Sequence, residues 1–194
     1  MKLLINIENK DFENKIFLLH NNSEEHNKLI EVINKEKELL YNKTKHFIDI
    51  NCGEGLWALF LGYYFKNVNI YETRDEYISL FKKNKVLMDA DENVSSFFYQ
   101  LSSKNSVKPK TYTLDNFKIK NIGLIKITTI NQDNKNELLN IIQGMKQTLI
   151  TNNYPNLLIE DNNNNTDYIE ILEKMNYYPV KEIYKNIILY KKNN

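Results

Sequence analysis

A glycine-containing turn between a short strand and an apolar helix, within Phe47–Ala58, constrains the fold of this chain more than any other segment. Two of the five glycines in the chain, Gly53 and Gly55, lie in this turn. Glycine tolerates positive φ and lets a ligand approach the backbone closely. Asn51, beside them, is among the few other residues that tolerate the left-handed region. The helix that follows points free backbone N–H groups at the turn, so we predict a ligand site here.

A carboxylate at the end of the next strand supports the same site. The second short strand, 68–71, is followed by Glu72, 17 residues after Gly55. In a doubly wound sheet, a carboxylate at this place accepts both hydroxyls of a ribose. The spacing therefore indicates a ligand that contains a nucleoside.

Strands and helices alternate from residue 46 onward. The hydrophobic pattern predicts strands over 46–50, 68–71, 97–101, 122–129, 156–160, 178–183 and 186–191. It predicts helices over 56–65, 75–83, 136–150 and 166–175. This alternation predicts an α/β fold with a mostly parallel sheet and helices on both faces. The last two strands lie at hairpin distance, so we expect a C-terminal antiparallel hairpin at the sheet edge.

Residues 1–45 precede this alternating region. Their pattern predicts two short strands, 3–7 and 15–20, as a hairpin, and then a helix from Ser23 to about residue 42. We expect this segment to pack on the core that residues 46–194 form. No Pro- or Gly-rich linker separates the two segments, so we treat the chain as a single structural unit.

Length, charge and cysteine content exclude several classes of protein. With 194 residues the chain has room for one ordinary domain, and its formal net charge of +1 argues against a dedicated nucleic-acid surface. Its apolar stretches are far shorter than the roughly 20 residues that span a bilayer. The single cysteine, Cys52, excludes an internal disulfide and favours a reducing, cytoplasmic compartment. No set of side chains has the spacing of a metal site, so we predict no metal.

The composition is biased towards residues with AT-rich codons. Asn, Lys and Ile make up 79 of the 194 residues, whereas the chain has two Ala and one Arg. The bias indicates an AT-rich genome, such as that of a large DNA virus, a bacterium or a protist. Asn-rich stretches such as 162–165 are therefore expected to be exposed loops rather than sites.

Three interpretations of the turn are open. A tight turn without a ligand is the simplest. A nicotinamide dinucleotide is the second, because Gly53-x-Gly55-x-x-Ala58 matches the dinucleotide fingerprint. S-adenosyl-L-methionine is the third, and Asp49 favours it, because a carboxylate there can hold the ammonium of the methionine end but would repel a pyrophosphate. The residues predicted to bind this cofactor are Asp49, Asn51, Gly53, Glu54, Gly55 and Glu72.

The order of the motifs resembles a known family. Residues 49–55 and 71–73 look like the first two motifs of class I S-adenosylmethionine-dependent methyltransferases. The segments similar in order and spacing to the FkbM family of these enzymes are 113–117, 121–127, Gly144 within its helix, 156–160 and the ending 176–190. The resemblance covers residues 46–192 and implies a Rossmann-like class I methyltransferase fold. It also implies O-methylation of a sugar, glycan or other small hydroxylated acceptor.

The chain departs from the family pattern after the fourth strand of the sheet. In the family, Asp and Glu follow a Lys-Ile pair, whereas residues 126–129 read Lys-Ile-Thr-Thr. Aligned backwards from Gly144, the resemblance places Asp133 at the Asp position, and Glu160 matches the family position after the fifth strand. We predict that Asp133 or Glu160 assists deprotonation of the acceptor hydroxyl.

The altered motif leaves two other functions open. One is a binding or regulatory module that keeps the fold, and even the cofactor, without turnover. The other is a nucleic-acid methyltransferase, which the near-neutral charge disfavours.

Overall fold

The computed structural model describes residues 2–5, 15–18, 23–40, 42–90, 92–107, 110–130, 136–162 and 166–193. Its helices are α1 Ser23–Leu40, α2 Leu56–Gly62, α3 Asp75–Leu87, α4 Glu137–Gln143, α5 Lys146–Thr151 and α6 Asp167–Lys174. Its strands are β1 Lys2–Ile5, β2 Lys15–Leu18, β3 Asn42–Ile50, β4 Phe65–Tyr71, β5 Val94–Phe97, β6 Gln100–Leu101, β7 Ser106–Val107, β8 Lys110–Tyr112, β9 Ile122–Thr128, β10 Asn156–Glu160, β11 Tyr177–Tyr184 and β12 Ile187–Lys192.

Seven of the described strands form one sheet, in the order β11-β12-β10-β9-β3-β4-β5. Strands β3, β4, β5, β9 and β10 run parallel, and β12 is antiparallel to both of its neighbours, β10 and β11. The predicted α/β fold, with a mostly parallel sheet and a C-terminal antiparallel hairpin, is therefore confirmed. Outside this sheet, β6, β8 and β7 form a small sheet of their own, and β1 pairs antiparallel with β2.

Helices cover both faces of the large sheet, because its central strands are apolar on both faces. Phe47 of β3 belongs to a buried cluster with residues of α1, α2 and α3. Ile48 and Ile50 belong to a second cluster with residues of α4, α5 and α6. Successive side chains of a strand point to opposite faces, so a strand covered on both sides is apolar at nearly every position. Asp49 is the charged exception at the end of β3.

The register of the parallel strands gathers their carboxyl ends at one edge. Asp49 of β3 is the Cα partner of Lys126 in β9, and Thr128 of β9 is the partner of Glu160 in β10. From β3 the chain continues to β4 on one side and returns to β9 on the other. Ligands bind in the crevice at such a switch point, outside the carboxyl ends of the strands.

The helix predicted over 136–150 is interrupted. Gly144 and Met145 separate α4 from α5, and a Cβ at Gly144 would collide with the backbone carbonyl of Ser102. The carboxylate of Asp115 accepts the backbone N–H of Thr148 at 2.6 Å. This hydrogen bond satisfies a donor in the first turn of α5, so α5 begins as a separate helix. The strand predicted over 97–101 is also divided, because β5 ends at Phe97 and β6 lies in the small sheet.

Helix α1 packs on the α2 side of the sheet. Its buried Ile30 and Ile33 belong to the first cluster, and Lys181 Nζ of β11 lies 2.7 Å from Oε1 of its Glu36. Across the described ranges, no helix has both the length and the apolar character that crossing a membrane requires.

Candidate functional site

The turn between β3 and α2 has positive φ at three positions, 58° at Asn51, 60° at Gly53 and 88° at Gly55. A Cβ at Gly55 would collide with the ring of Phe81, so this position requires glycine for both its φ and its space. A Cβ at Gly53 would instead lie 3.9 Å from Tyr77 Cδ1, an ordinary contact. Gly53 therefore has room beside its backbone, and it lines the cavity described below, where a ligand can approach it.

Asn51 anchors the turn to the carboxyl end of β9 and to the start of α4. Its Nδ2 donates to the backbone oxygen of Thr128 at 2.7 Å and to Oε1 of Glu137 at 3.1 Å. Glu137 is buried in the first turn of α4, and its Oε2 accepts the Ile130 N–H at 3.0 Å. A glycine at position 51 could not make the two side-chain contacts, so asparagine holds the turn against the carboxyl end of β9.

Glu72 lies directly behind the turn, with no solvent exposure. Its Oε2 accepts the Gly53 N–H at 2.9 Å, and its Oε1 accepts the N–H groups of Thr73 at 2.8 Å and Arg74 at 3.0 Å. The guanidinium of Arg74 adds Nε at 3.0 Å and Nη2 at 2.7 Å. Burial alone raises the pKa of Glu72, but the hydrogen bonds from Arg74 and Thr73 outweigh it and the pKa lies below its ordinary value. Glu72 is therefore ionised at neutral pH.

A buried lysine joins the carboxylates of β3 and β10. Lys126 Nζ lies 3.7 Å from Oδ1 of Asp49 and 3.2 Å from Oε2 of Glu160, and it also hydrogen-bonds Oγ1 of Thr128. That hydroxyl in turn donates to Oε2 of Glu160 at 3.1 Å. One cation thus holds two carboxylates that belong to different strands.

The electrostatics of Asp49 differ from those of Glu72. Asp49 is fully buried, and neither of its oxygens accepts a hydrogen bond of ordinary geometry from the described residues. Burial raises its pKa to about 6, against the opposing effect of Lys126 and with a further increase from Glu160 and Glu72. For Lys126, burial lowers the pKa, but the two carboxylates outweigh burial and raise it above its ordinary value. Lys126 is therefore charged at neutral pH.

These groups surround a cavity of about 210 Å³. The polar residues in its wall include Asn51, Glu54, Arg74, Lys126 and Glu160, and the backbone of Gly53 also lines it. A neighbouring cavity of about 300 Å³, between α1 and the β11–β12 turn, shares Leu29 and Glu160 with the first. Glu160 is thus the carboxylate that borders both spaces.

The structure brings most of the predicted site residues together. Asn51, Gly53 and Glu54 line the cavity, Gly55 shapes the turn, and Asp49 and Glu72 lie behind its wall. Glu160 lines the same cavity, where Lys126 contacts it. Asp133 falls outside the described residues. Among those residues, no cluster of three or more His, Cys, Asp or Glu side chains is arranged to hold a metal ion.

Three residues of the site are not among those predicted from the sequence. Lys126 is predicted only as part of a strand motif, although a lysine inside an apolar strand signals a buried ion pair. Arg74 is the single arginine of the chain and follows Glu72 by two positions. Glu137 has no distinctive sequence signal, since acidic residues are common in the first turn of a helix.

Comparison with protein-family models finds no match, and comparison with curated protein sequences finds none either. Solved structures do match. The putative methyltransferase yhhF from Escherichia coli superposes with a TM-score of 0.65 at 11% identity and covers 97% of both chains. TrmK from M. capricolum, solved with its natural cofactor product S-adenosylhomocysteine, has a TM-score of 0.59 at 17% identity, and covers 90% of this chain and 70% of its own.

The FkbM methyltransferase from Methylobacillus flagellatus is also similar, with a TM-score of 0.59 at 10% identity over 77% of this chain. The chain spans 44% of the length of that protein. At these identities the likeness concerns the fold. The chain has the Rossmann-like fold of class I methyltransferases, which confirms the predicted fold class.

Proposed function

We propose that this protein is an S-adenosyl-L-methionine-dependent O-methyltransferase of the FkbM type, acting on a sugar, glycan or other small hydroxylated acceptor. The observation that supports it most directly is the contact between the turn and Glu72, whose Oε2 accepts the Gly53 N–H at 2.9 Å. A carboxylate suited to a ribose and a turn open to a ligand thus meet at the switch point of the sheet. The structural neighbours with this fold include methyltransferases, and TrmK is among those solved with S-adenosylhomocysteine.

The residues around the cavity fit this cofactor. Gly53 leaves the turn open, and Glu72 is ionised beside it. Asp49 lies behind the wall, with Lys126 Nζ 3.7 Å from its Oδ1, so it acts on an ammonium or sulfonium through its charge or through a water. We assign Asp49, Asn51, Gly53, Glu54 and Gly55 to the methionine end and Glu72 to the ribose. When bound, the cofactor supplies a methyl group on a sulfonium, which is already an activated donor.

The chain would then contribute positioning and a proton acceptor. Glu160 borders both cavities, and its side chain is 26% exposed. Lys126 and Thr128 hold its Oε2, which fixes the carboxylate and leaves Oε1 outside these contacts. An acceptor hydroxyl loses a proton when it is methylated, and Glu160 is placed to receive it. Asp133 remains the second residue that the family resemblance assigns to this step.

Two measurements test the proposal. In calorimetric titrations, S-adenosyl-L-methionine should bind more tightly than NAD, because the charge of Asp49 disfavours a pyrophosphate. A transfer assay with a labelled methyl group should then detect a product among nucleotide sugars, glycans or RNA. Tighter binding of NAD would refute the cofactor assignment, and transfer to RNA alone would refute the acceptor class.

A binding or regulatory module is the second candidate. It is favoured by Thr128, which directly follows the Lys126-Ile127 pair, where the family pattern has an Asp. Its hydroxyl contacts Lys126 and donates to Oε2 of Glu160 at 3.1 Å, so a threonine rather than a carboxylate stands at this position. Cofactor binding without transfer to any acceptor class would support this candidate over the enzyme.

A further inference from the structure

Arg74 is an exception in the composition of this chain. The sequence has 25 lysines and one arginine, and the one arginine stands two positions after Glu72. Its guanidinium spans both oxygens of that carboxylate, with Nε 3.0 Å from Oε1 and Nη2 2.7 Å from Oε2. Lysine offers a single point of charge and cannot form such a fork. The arginine therefore occurs where a two-pronged contact with a carboxylate is made.

Glu72 has no acceptor capacity left for a ribose in this arrangement. An ionised carboxylate offers about four lone-pair sites. Glu72 already accepts five N–H groups: one from Gly53, one from Thr73 and three from Arg74. Three of the five come from the backbone and are fixed by the turn and the chain after β4. The other two come from the Arg74 side chain, and a ribose would bring two hydroxyls.

The Arg74 side chain also has space into which it can move when it leaves Glu72. It is 30% exposed in the wall of the cavity, whereas the carboxylate behind it is fully buried. Its Cζ lies 3.9 Å from the centroid of the Tyr77 ring, which is a favourable stacking partner for a guanidinium. The guanidinium can therefore leave Glu72 towards solvent and keep contact with Tyr77.

We infer that Arg74 determines the affinity and nucleoside specificity of the site by occupying the face of Glu72 that reads a ribose diol. The inference rests on the proposed function and adds to it. The cofactor binds by exchange: two N–H donors of the guanidinium leave Glu72, and the two ribose hydroxyls take their place. The three backbone donors keep the carboxylate ionised throughout. The apparent affinity for a nucleoside is therefore the intrinsic affinity multiplied by the fraction of molecules in which Arg74 has left Glu72.

The unmodified protein allows a direct test. With one arginine in the chain, the Nε–H group of Arg74 gives one arginine cross-peak in a ¹⁵N–¹H spectrum. The Glu72→Ala variant supplies the reference position of an Arg74 without its carboxylate. We expect saturating S-adenosylhomocysteine to move the cross-peak towards that reference. A cross-peak that stays in place while the Gly53 and Glu54 amides shift would overturn the inference and leave the proposed cofactor site intact.

Affinities provide the second measurement. In calorimetry, Arg74→Ala should bind S-adenosylhomocysteine about tenfold more tightly. This is the gain expected if Arg74 is bound to Glu72 in about nine-tenths of the unliganded molecules, because the variant removes that competing state. Lys83→Ala, which removes an exposed positive charge from α3, is the matched control and should leave the affinity unchanged. Adenosine should gain from Arg74→Ala, and 2′,3′-dideoxyadenosine should not, because it lacks the two hydroxyls.

The possible results distinguish failure of the inference from failure of the proposed function. Equal or weaker binding by Arg74→Ala, or an equal gain for dideoxyadenosine, overturns the inference. No amide shift at Gly53 and no heat with millimolar S-adenosylhomocysteine, in any variant, refutes the proposed function and the inference with it. If Arg74→Ala does not fold, the spectrum of the unmodified protein still decides.

Discussion

Asp49 and Lys126 are direct partners on neighbouring parallel strands, and their side chains, both buried, lie 3.7 Å apart between Oδ1 and Nζ. Burying two charges carries a desolvation penalty, and the attraction between them offsets this penalty only while both partners are present. Lys126 also contacts Glu160 of the next strand, and both of these residues line the cavity. The centre of the sheet and the geometry of the site therefore depend on the same ammonium group.

Removal of that ammonium should destabilise the fold. Lys126→Met leaves Asp49 buried without its cation, so we expect the free energy of unfolding to fall by about 3–5 kcal/mol. The matched control is Lys174→Met, which breaks the exposed pair with Glu170, 3.6 Å apart, and should cost under about 1 kcal/mol. Urea unfolding at pH 7 measures both. Equal losses would show that the buried pair contributes no more than a surface pair.

The raised pKa of Asp49 predicts a pH dependence of stability. Its pKa is about 6 in the folded protein and 3.8 as the ordinary value, so between these pH values the folded state binds the proton more tightly than the unfolded chain. The contribution of protonated Asp49 is present below pH 4 and is lost as pH rises through 6. Relative to Asp49→Asn, we expect the parent to lose about 3 kcal/mol of unfolding free energy over this range. Urea unfolding of both proteins from pH 4 to 7 provides the comparison, and a constant difference between them would contradict the assignment.

The side chain of Asn51 should matter more than its backbone. Asn51→Gly retains the freedom to adopt a φ of 58° but removes the hydrogen bonds to Thr128 and Glu137. We expect a loss of about 1–3 kcal/mol, because a buried polar group is left unsatisfied. Asn153→Gly, at an exposed residue with a φ of 54°, is the control and should be neutral or slightly stabilising. Thermal unfolding of the two variants distinguishes side-chain contacts from backbone strain.

The charge of Glu72 should set the affinity for the cofactor. Glu72→Gln removes a charge-assisted partner of the ribose, worth about 1.5–3 kcal/mol, so S-adenosylhomocysteine should bind roughly 10- to 100-fold more weakly. Glu92→Gln, an exposed change after α3, removes the same charge without touching the site. Calorimetry on both variants is the measurement, with circular dichroism to verify the fold. An unchanged affinity in Glu72→Gln would refute the ribose assignment.

Glu160 should affect transfer rather than binding. Once an acceptor is found, Glu160→Gln should reduce kcat by about 10²–10⁴-fold, the usual contribution of a general base. The affinity for S-adenosylhomocysteine should stay within about twofold, since Glu160 is assigned to the acceptor. Glu170→Gln on the exposed face of α6 is the control. A normal kcat in Glu160→Gln would direct the search for the base to Asp133.

Most of the fold could be predicted from the sequence, because the elements that build it have strong local signals. The apolar strand before Asp49 and the wholly buried helix after Gly55 are read from hydrophobicity alone. The helix predicted over 56–65 is too long, since α2 ends at Gly62 and β4 begins at Phe65. Two further predictions that differ from the structure, the unbroken helix over 136–150 and the strand over 97–101, fail for one reason. Both lie where the small sheet approaches α4, and a long-range contact between Gly144 and Ser102 leaves no periodic signal in the sequence.

The site could be predicted only in part. The turn and its two carboxylates follow from residue types at the ends of strands. The partners of those carboxylates do not, because hydrogen bonds such as that between Asn51 and Glu137 join residues 86 positions apart. The sequence likewise shows an arginine near Glu72 but not that its fork closes over the carboxylate. Local patterns locate a site of this kind, and the tertiary packing decides which of its groups are available.

The place of β12 has a consequence for how this protein is made. It lies between β10 and β11 in the sheet although it follows both in the chain. Until β12 has been synthesised and inserted, β11 lacks its neighbour in the large sheet and β10 lacks its antiparallel partner. The sheet edge beside Glu160, the proposed proton acceptor, is therefore completed by the last of the described strands in chain order.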